Sequence, residues 1–195
     1  CLQPIKEEYL FTGKLEPTNE WYAIAKLAGI KLCEAYQKQY DCNYISLIPT
    51  NLYGVNDNFH PLYSHVPAAL IRRFHEAKVN NLKSVSVWGT GNPRREFMHV
   101  SDLAKAITFM LEYYSSEKPI NIGTGLDVSI HDFAKLISQV VDYKGQIVFD
   151  HSKPDGMQLK RLDISKATSI GWHPQIDLNN GLKNTYEWAL KNIFI

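Results

Sequence analysis

Cysteine is scarce in this chain: Cys1, Cys33 and Cys42 are the only three in 195 residues. That number cannot build a disulfide framework, and the spacing matches no zinc site, so no metal is expected. No apolar run approaches the ~20 residues that a membrane-spanning helix needs. The opening stretch from Cys1 to Glu8 is polar and lacks the apolar core of a signal peptide. Charge of one sign is missing too, because 21 Lys and Arg against 20 Asp and Glu leave a net charge of only +1. Without a global field, neither nucleic acid nor an anionic membrane is expected as a partner, and any anion must be held locally. A soluble, cytoplasmic protein of a reducing compartment is the expectation. What the chain does have is apolar side chains, 45% of the total against 21% charged. That balance excludes disorder and fits one generous domain or two small ones.

Residues 1–17 read as loop. Thr18 or Asn19 is expected to cap a helix from about Glu20 to Tyr40, in which Ile24, Leu27, Ala28, Leu32, Ala35 and Tyr36 recur at helical spacing. A strand over Tyr44–Ile48 is stopped by Pro49, and Thr50–Ser64 has no period, which by its length marks it as functional or disordered. Pro67 suits the first turn of a second helix with Leu70, Ile71 and Phe74 turned inward. Ser84–Trp88 alternates like a half-buried strand and runs into the Gly89–Pro93 loop. Ser101 is expected to cap a third helix carrying Leu103, Ala106, Ile107, Met110, Leu111 and Tyr114 on one stripe. A short strand over Pro119–Ile122 leads to a fourth helix, begun by Ser129 and Asp132 as a capping box and bearing Phe133, Ile137, Val140 and Val141. Gln146–Phe149 is a further strand, and Asp177 caps a last helix. Helices alternating with strands argue for an α/β fold with a largely parallel sheet.

Three groups of residues have chemistry to offer. Tyr22 and Lys26 lie four apart on the first helix, so the ammonium stands beside the phenol. A neighbouring positive charge favours phenolate and suits the tyrosine to donate a proton to a carbonyl under reduction. The spacing alone proves little, since Tyr114 and Lys118 share it where the helix has already ended. Pro49–Gly54 follows a strand end, where ligands of open α/β sheets bind. The next loop carries His60, read as solvated, and His65, which sits just ahead of a helix start. There the helix dipole favours neutral imidazole, able to act as a base, although a packing role suits the place equally. The third group comprises Arg72, Arg73, Trp88, Arg94, Arg95, Lys153, Asp155, Lys160 and Arg161. Guanidinium forks bind phosphate in bidentate fashion and an indole face stacks on a base or sugar. The competing reading has these charges solvated one by one and Trp88 in the core. Gly89-Thr90-Gly91 and Gly123-Thr124-Gly125 lack the third glycine and the strand-to-helix setting of a dinucleotide fingerprint.

Taken together, these residues resemble the extended short-chain dehydrogenase/reductase superfamily and, within it, the GDP-L-fucose synthase family. The likeness rests on Leu15–Glu20 ahead of Tyr22-Ala23-Ile24-Ala25-Lys26, on Pro49–Gly54, and on Asp57-Asn58-Phe59-His60-Pro61. It continues through Ser64-His65-Val66, Val87–Gly91, Arg95-Glu96-Phe97 and Ser152-Lys153-Pro154-Asp155-Gly156. The resemblance implies NADPH-dependent conversion of GDP-4-keto-6-deoxy-D-mannose to GDP-L-fucose, by epimerisation at C3 and C5 and hydride reduction at C4. It implies Tyr22 as the proton donor to the C4 oxygen, Lys26 as its partner and ribose ligand, and His65 as the epimerisation acid. Pro49, Thr50, Asn51 and Leu52, with Tyr22, Lys26 and His65, would line the NADP(H) side. Arg73, Trp88, Arg95, Asp155 and Lys160 would grip the GDP-sugar. A homodimer is implied as well. Rival readings are another NAD(P)-dependent sugar-nucleotide epimerase or dehydratase, and a non-catalytic GDP-sugar-binding remnant.

The implied fold is the C-terminal part of a doubly wound Rossmann-type sheet interleaved with a smaller α/β substrate-binding region. Residues 1–64 would end the cofactor-binding region and 65–195 would mainly bind substrate, with about 97–125 returning to the Rossmann sheet. The chain departs from the family in lacking a glycine-rich phosphate loop. The family's catalytic serine and cysteine match positions ahead of Gln3, and Cys1 falls too late to take that cysteine's role. Because the chain also opens on cysteine, a C-terminal piece with weak activity of its own is the expectation.

Overall fold

The computed structural model of the protein describes residues 1–195. Two single-turn 3-10 helices, Glu7–Tyr9 and Pro17–Asn19, break up the expected N-terminal loop. Six α-helices follow: α1 (Glu20–Tyr40), α2 (Val66–Val79), α3 (Val100–Tyr113), α4 (Ile130–Val141), α5 (Ser165–Ser169) and α6 (Leu178–Asn192). The strands are short: β1 (Leu47–Pro49), β2 (Asn51–Tyr53), β3 (Ser84–Trp88), β4 (Arg94–Arg95), β5 (Phe97–His99), β6 (Ile120–Ile122), β7 (Val128–Ser129), β8 (Gln146–Asp150) and β9 (Leu159–Lys160). β1 pairs with β6, β2 with β5, β3 with β8 and β4 with β9, all parallel, while β4 meets β7 antiparallel. The α/β class and parallel pairing expected from the alternation of helices and strands are therefore present.

The backbone run Leu47–Tyr53 has a feature that places the site. Its first half lies against β6, and its second half against β5. Thr50 stands at the change of partner, its N–H still bonded to Ile122 O at 2.9 Å. A fork thus opens between the end of β6 and the start of β5.

Two apolar clusters support this frame. One joins α2, α4 and α6 through Phe74, Phe133, Ile137 and Leu182, with Val85 and Val87 of β3 beneath them. The other joins α3 and β6 through Ala106, Met110, Ile120 and Ile122 with Ala167 and Trp172. Each fully buried Phe, Ile or Leu contributes about 1.5–3 kcal/mol. Helix α4 shows how the sequence achieves this. Ser129 Oγ accepts from the N–H of Asp132 at 3.0 Å, and Phe133, Ile137 and Val141 follow on the buried face.

Helix α1 differs from expectation. Its extent is as expected, but none of its residues is buried, and Ile24, Leu32 and Tyr36 are exposed. The apolar spacing was real, yet no element of this chain covers that face. Local bonds hold the helix instead. Glu34 takes Lys31 at 2.6 Å and Lys38 at 2.8 Å, and these two ammonium groups hold its carboxyl at about 2. Lys38 also reaches Glu117 at 3.2 Å, tying the C-terminal half of α1 to the turn after α3.

Other differences are local. Asn19 stands at the N-cap position of α1, as expected, but its side chain makes no capping bond; the Glu16 carboxylate accepts the Thr18 N–H ahead of it. His99, and not Ser101, caps α3, its Nδ1 accepting the Ser101 N–H at 3.2 Å. Ile107 and Leu111 face outward, because α3 is packed on one narrow side only. The strand expected over Tyr44–Ile48 is shifted to Leu47–Pro49, whose Pro49 closes the run against β6.

Candidate functional site

Tyr22 and Lys26 occupy the first two turns of α1, and Lys26 Nζ lies 5.4 Å from the centroid of the Tyr22 ring. Tyr22 is 67% exposed, so its phenol is open to a reactant. One helical turn brings the two side chains together, as their spacing predicted. No hydrogen bond or ring contact ties either of them to the other candidate residues.

Pro49, Thr50, Asn51 and Leu52 lie along the β1–β2 run. Thr50 is buried, and its Oγ1 donates to Glu96 O at 3.3 Å, while Asn51 Nδ2 donates to the same oxygen at 2.7 Å. Pro49 is exposed and Leu52 half-buried. These residues therefore form a rigid wall whose polar side chains are spent on the backbone. His65 is the exposed N-cap residue of α2 and makes no side-chain capping bond. Its ring has Asp57 as a charged neighbour, whose carboxyl burial pushes above the usual carboxylate range despite that nearby histidine. His60 is a loop residue, as expected: it stacks on Tyr63 at 4.7 Å, and its Nδ1 accepts the Leu62 N–H.

The cationic and aromatic group is brought together at the carboxyl ends of β3 and β8. Trp88 ends β3 and is 60% exposed, which rules out the core reading. Arg73 Cζ lies 5.5 Å and Lys153 Nζ 5.7 Å from its ring. Both fall within the ~6 Å over which a cation is attracted to an aromatic face. Arg95 and Lys160 face each other in register across β4 and β9. Burial lowers the pKa of Arg95, and the Asp155 charge opposes that shift. Asp155 itself accepts the Thr90 N–H at 2.7 Å and the Thr90 hydroxyl at 2.8 Å, bonds that hold its carboxyl below the usual range. It works as a clasp between the 89–93 and 151–158 loops.

The neighbouring cations that the resemblance left out of the nucleotide site are employed elsewhere. Arg72 bonds to Glu76 at 2.6 Å and to Phe59 O at 3.0 Å. Arg94 and Arg161 both pair with Asp127, the latter at 3.0 Å. Neither Gly-Thr-Gly turn is free to cradle a phosphate. The N–H of Thr90 is taken by Asp155, and those of Thr124 and Gly125 by the Glu96 carboxylate. Sequence reasoning quoted Glu96 only within the Arg95-Glu96-Phe97 string and gave it no role. Among all residues no group of His, Cys, Asp and Glu side chains is arranged to hold a metal ion, and no helix is long and apolar enough to cross a membrane.

Residues 2–123 match the model of the NAD dependent epimerase/dehydratase family. The chain is 56% identical over 191 residues to a putative GDP-L-fucose synthase 2 of Arabidopsis thaliana, covering 98% of this chain and 58% of that relative. It is 52% identical to the GDP-L-fucose synthase of Escherichia coli K12, covering 97% of this chain and 62% of that protein. The crystal structure of a GDP-L-fucose synthetase from Naegleria fowleri bound to NADP superposes with a TM-score of 0.93 at 30% identity. That match covers 98% of this chain and 62% of the other. The chain thus spans about three-fifths of the length of the relatives it matches.

Proposed function

Because the chain belongs to the NAD dependent epimerase/dehydratase family, we propose that it carries the substrate-gripping and proton-donating groups of a GDP-L-fucose synthase. That enzyme converts GDP-4-keto-6-deoxy-D-mannose to GDP-L-fucose with NADPH. The observation that carries this reading is the Trp88 indole flanked by Arg73 and Lys153, with the paired Arg95 and Lys160 linked to the loop after Trp88 through Asp155. An aromatic face with cations at its rim suits a nucleoside diphosphate, offering a stacking surface and charge for the pyrophosphate. The identities above support guanosine as the base.

The chemistry divides among residues of two helices, Tyr22 and Lys26 on α1 and His65 at the start of α2. The C4 ketone of the sugar makes the hydrogens on C3 and C5 acidic, so one carbonyl serves both epimerisation and reduction. We read His65, exposed at the start of α2, as the acid that returns a proton to an epimerising carbon once a base has removed the original one. Tyr22 donates its phenolic proton to the C4 oxygen, and Lys26 beside it stabilises the phenolate left behind. NADPH supplies the hydride when bound. The exposed Tyr22–Lys26 pair and the wall from Pro49 to Leu52 fit the nicotinamide end of that cofactor. Its phosphates find no cradle in either Gly-Thr-Gly turn, whose amides are already bonded. We assign residues 1–64 and about 97–125 to the cofactor-binding region and the rest mainly to substrate binding, with a cytoplasmic homodimer as the working form.

Calorimetric titration with GDP, UDP and dTDP tests the reading. GDP is expected to bind at least tenfold more tightly than the others. Equal or stronger binding of UDP or dTDP would transfer the chain to another sugar-nucleotide enzyme.

A further inference from the structure

Glu96 is completely buried and has no cationic partner, yet it is the most heavily bonded side chain near the site. It stands between β4 and β5, in the fork left where the Leu47–Tyr53 run changes from β6 to β5. A Cβ at Gly123, immediately after β6, would overlap Glu96 Oε1, so glycine is what lets the carboxylate occupy the fork. Oε1 accepts the N–H of Thr124 at 2.5 Å and that of Gly125 at 2.9 Å, with the Thr124 hydroxyl at 3.3 Å. Oε2 accepts the Leu162 N–H at 2.7 Å. The Glu96 backbone carries the knot further: its N–H bonds to Lys160 O at 3.3 Å, and its carbonyl receives Thr50 and Asn51.

Register explains why this matters. The β4–β9 ladder that sets Arg95 opposite Lys160 consists of two residues on each side. So short a ladder specifies its own register weakly, and a slip of β9 by one residue would turn Lys160 to the face opposite Arg95. Glu96 grips the β9 segment at two points, through its own N–H on Lys160 O and through its carboxylate on Leu162 just beyond the strand. A buried anion held only by N–H and hydroxyl donors has strict geometry, because each lost donor leaves it uncompensated. We infer that Glu96 is a positioning residue that fixes Arg95 and Lys160 as an anion-binding pair by pinning the β9 segment and the Thr124–Gly125 turn to one carboxylate. This rests on the nucleotide reading above and adds a residue that itself touches no substrate.

The test combines GDP titration with amide hydrogen exchange on Glu96→Gln, which keeps the size and turns one acceptor into a donor facing an N–H. Gly123→Ala, which displaces the carboxylate without changing it, is measured if the first variant does not fold. Asp102→Ala is the control, because that carboxylate holds Gln175 and Ile176 N–H groups away from the nucleotide cluster. The expected result is a GDP Kd raised at least tenfold in the Glu96 or Gly123 variant. In Asp102→Ala the Kd stays within twofold while the melting temperature falls. An unchanged Kd in the Glu96 or Gly123 variant, or an equal loss in Asp102→Ala, overturns the inference. Exchange is expected to quicken at residues 158–162 as well as at Thr124 and Gly125. Quickening confined to the turn overturns the inference even if the unaltered chain binds no GDP, an outcome that sinks the nucleotide reading by itself.

Discussion

Replacing Trp88 with alanine isolates the feature on which the nucleotide reading stands. The indole is 60% exposed at the end of β3, so its removal leaves no buried cavity. Exposed substitutions of this kind shift stability by no more than ~0.5 kcal/mol. Binding is another matter, because base stacking on an aromatic side chain is worth about 1–3 kcal/mol. At 1.4 kcal/mol per factor of ten, the GDP Kd should rise roughly 5- to 150-fold. The attraction of Arg73 and Lys153 to the ring adds little to this figure, since it is present with and without ligand. Trp88→Phe keeps a smaller stacking face and should recover most of the loss. Arg72→Ala is the companion measurement: it removes a cation next to Arg73 whose guanidinium is spent on Glu76 and Phe59 O, so GDP binding should change less than twofold. Titration calorimetry reads all three. A Trp88→Ala chain that melts normally and binds GDP with unaltered affinity would remove the stacking face from the site.

Other variants probe the remaining parts. Arg95→Ala should weaken GDP binding by about 1–3 kcal/mol, the range of a hydrogen bond to a charged group, when followed by the same titration. Tyr22→Phe should abolish reduction of the 4-keto sugar, followed as NADPH absorbance in an active preparation, and leave GDP affinity unchanged; retained turnover would remove the phenol from catalysis. Acid should destabilise the fold from neutrality downward, because burial lowers the pKa of His75 and of His99 below the ordinary 6.5. The unfolded chain then binds more protons than the folded one, so stability is complete above about 6.5 and falls as pH drops below it. Protonated His99 also loses the Nδ1 lone pair that caps α3 beside Asp102. His99→Asn should flatten the dependence of melting temperature on pH between 6.5 and 5.

How much of this was legible in the sequence depended on whether the cause was local. Helix α4 was readable in full, since its capping box and its buried stripe lie within a dozen consecutive residues. The Tyr22–Lys26 contact was readable for the same reason, being fixed by one turn of helix. The burial of α1 was not, because spacing shows that a face is apolar and says nothing of what covers it. Strands β4, β7 and β9 have two residues each, too few to display a period, and only their partners make them strands. The cap of α3 was misplaced by two residues because a histidine at the end of a buried strand does the work that serine ordinarily does.

The arginines carry this distinction into function. The family resemblance selected Arg73 and Arg95, but Arg72 and Arg73 are chemically identical neighbours, as are Arg94 and Arg95, and composition and spacing do not separate them. Their partners do. Glu76 neutralises Arg72, and Asp127 neutralises both Arg94 and Arg161. Arg73, Arg95, Lys153 and Lys160 enter no ion pair, though they gather around Trp88 and the β4–β9 ladder. The Asp155 charge acts on Arg95 and the Asp150 charge on Lys153 without forming an ion pair, and these carboxylates bond instead to Thr90 and Ser152. Gathering cations without an ion pair works against folding, and a chain with 20 acidic against 21 basic side chains had partners to offer. On the proposed reading the rest of the cluster's counter-charge arrives with the ligand, and a pyrophosphate beside a stacked base has the charge and the shape to fill that role.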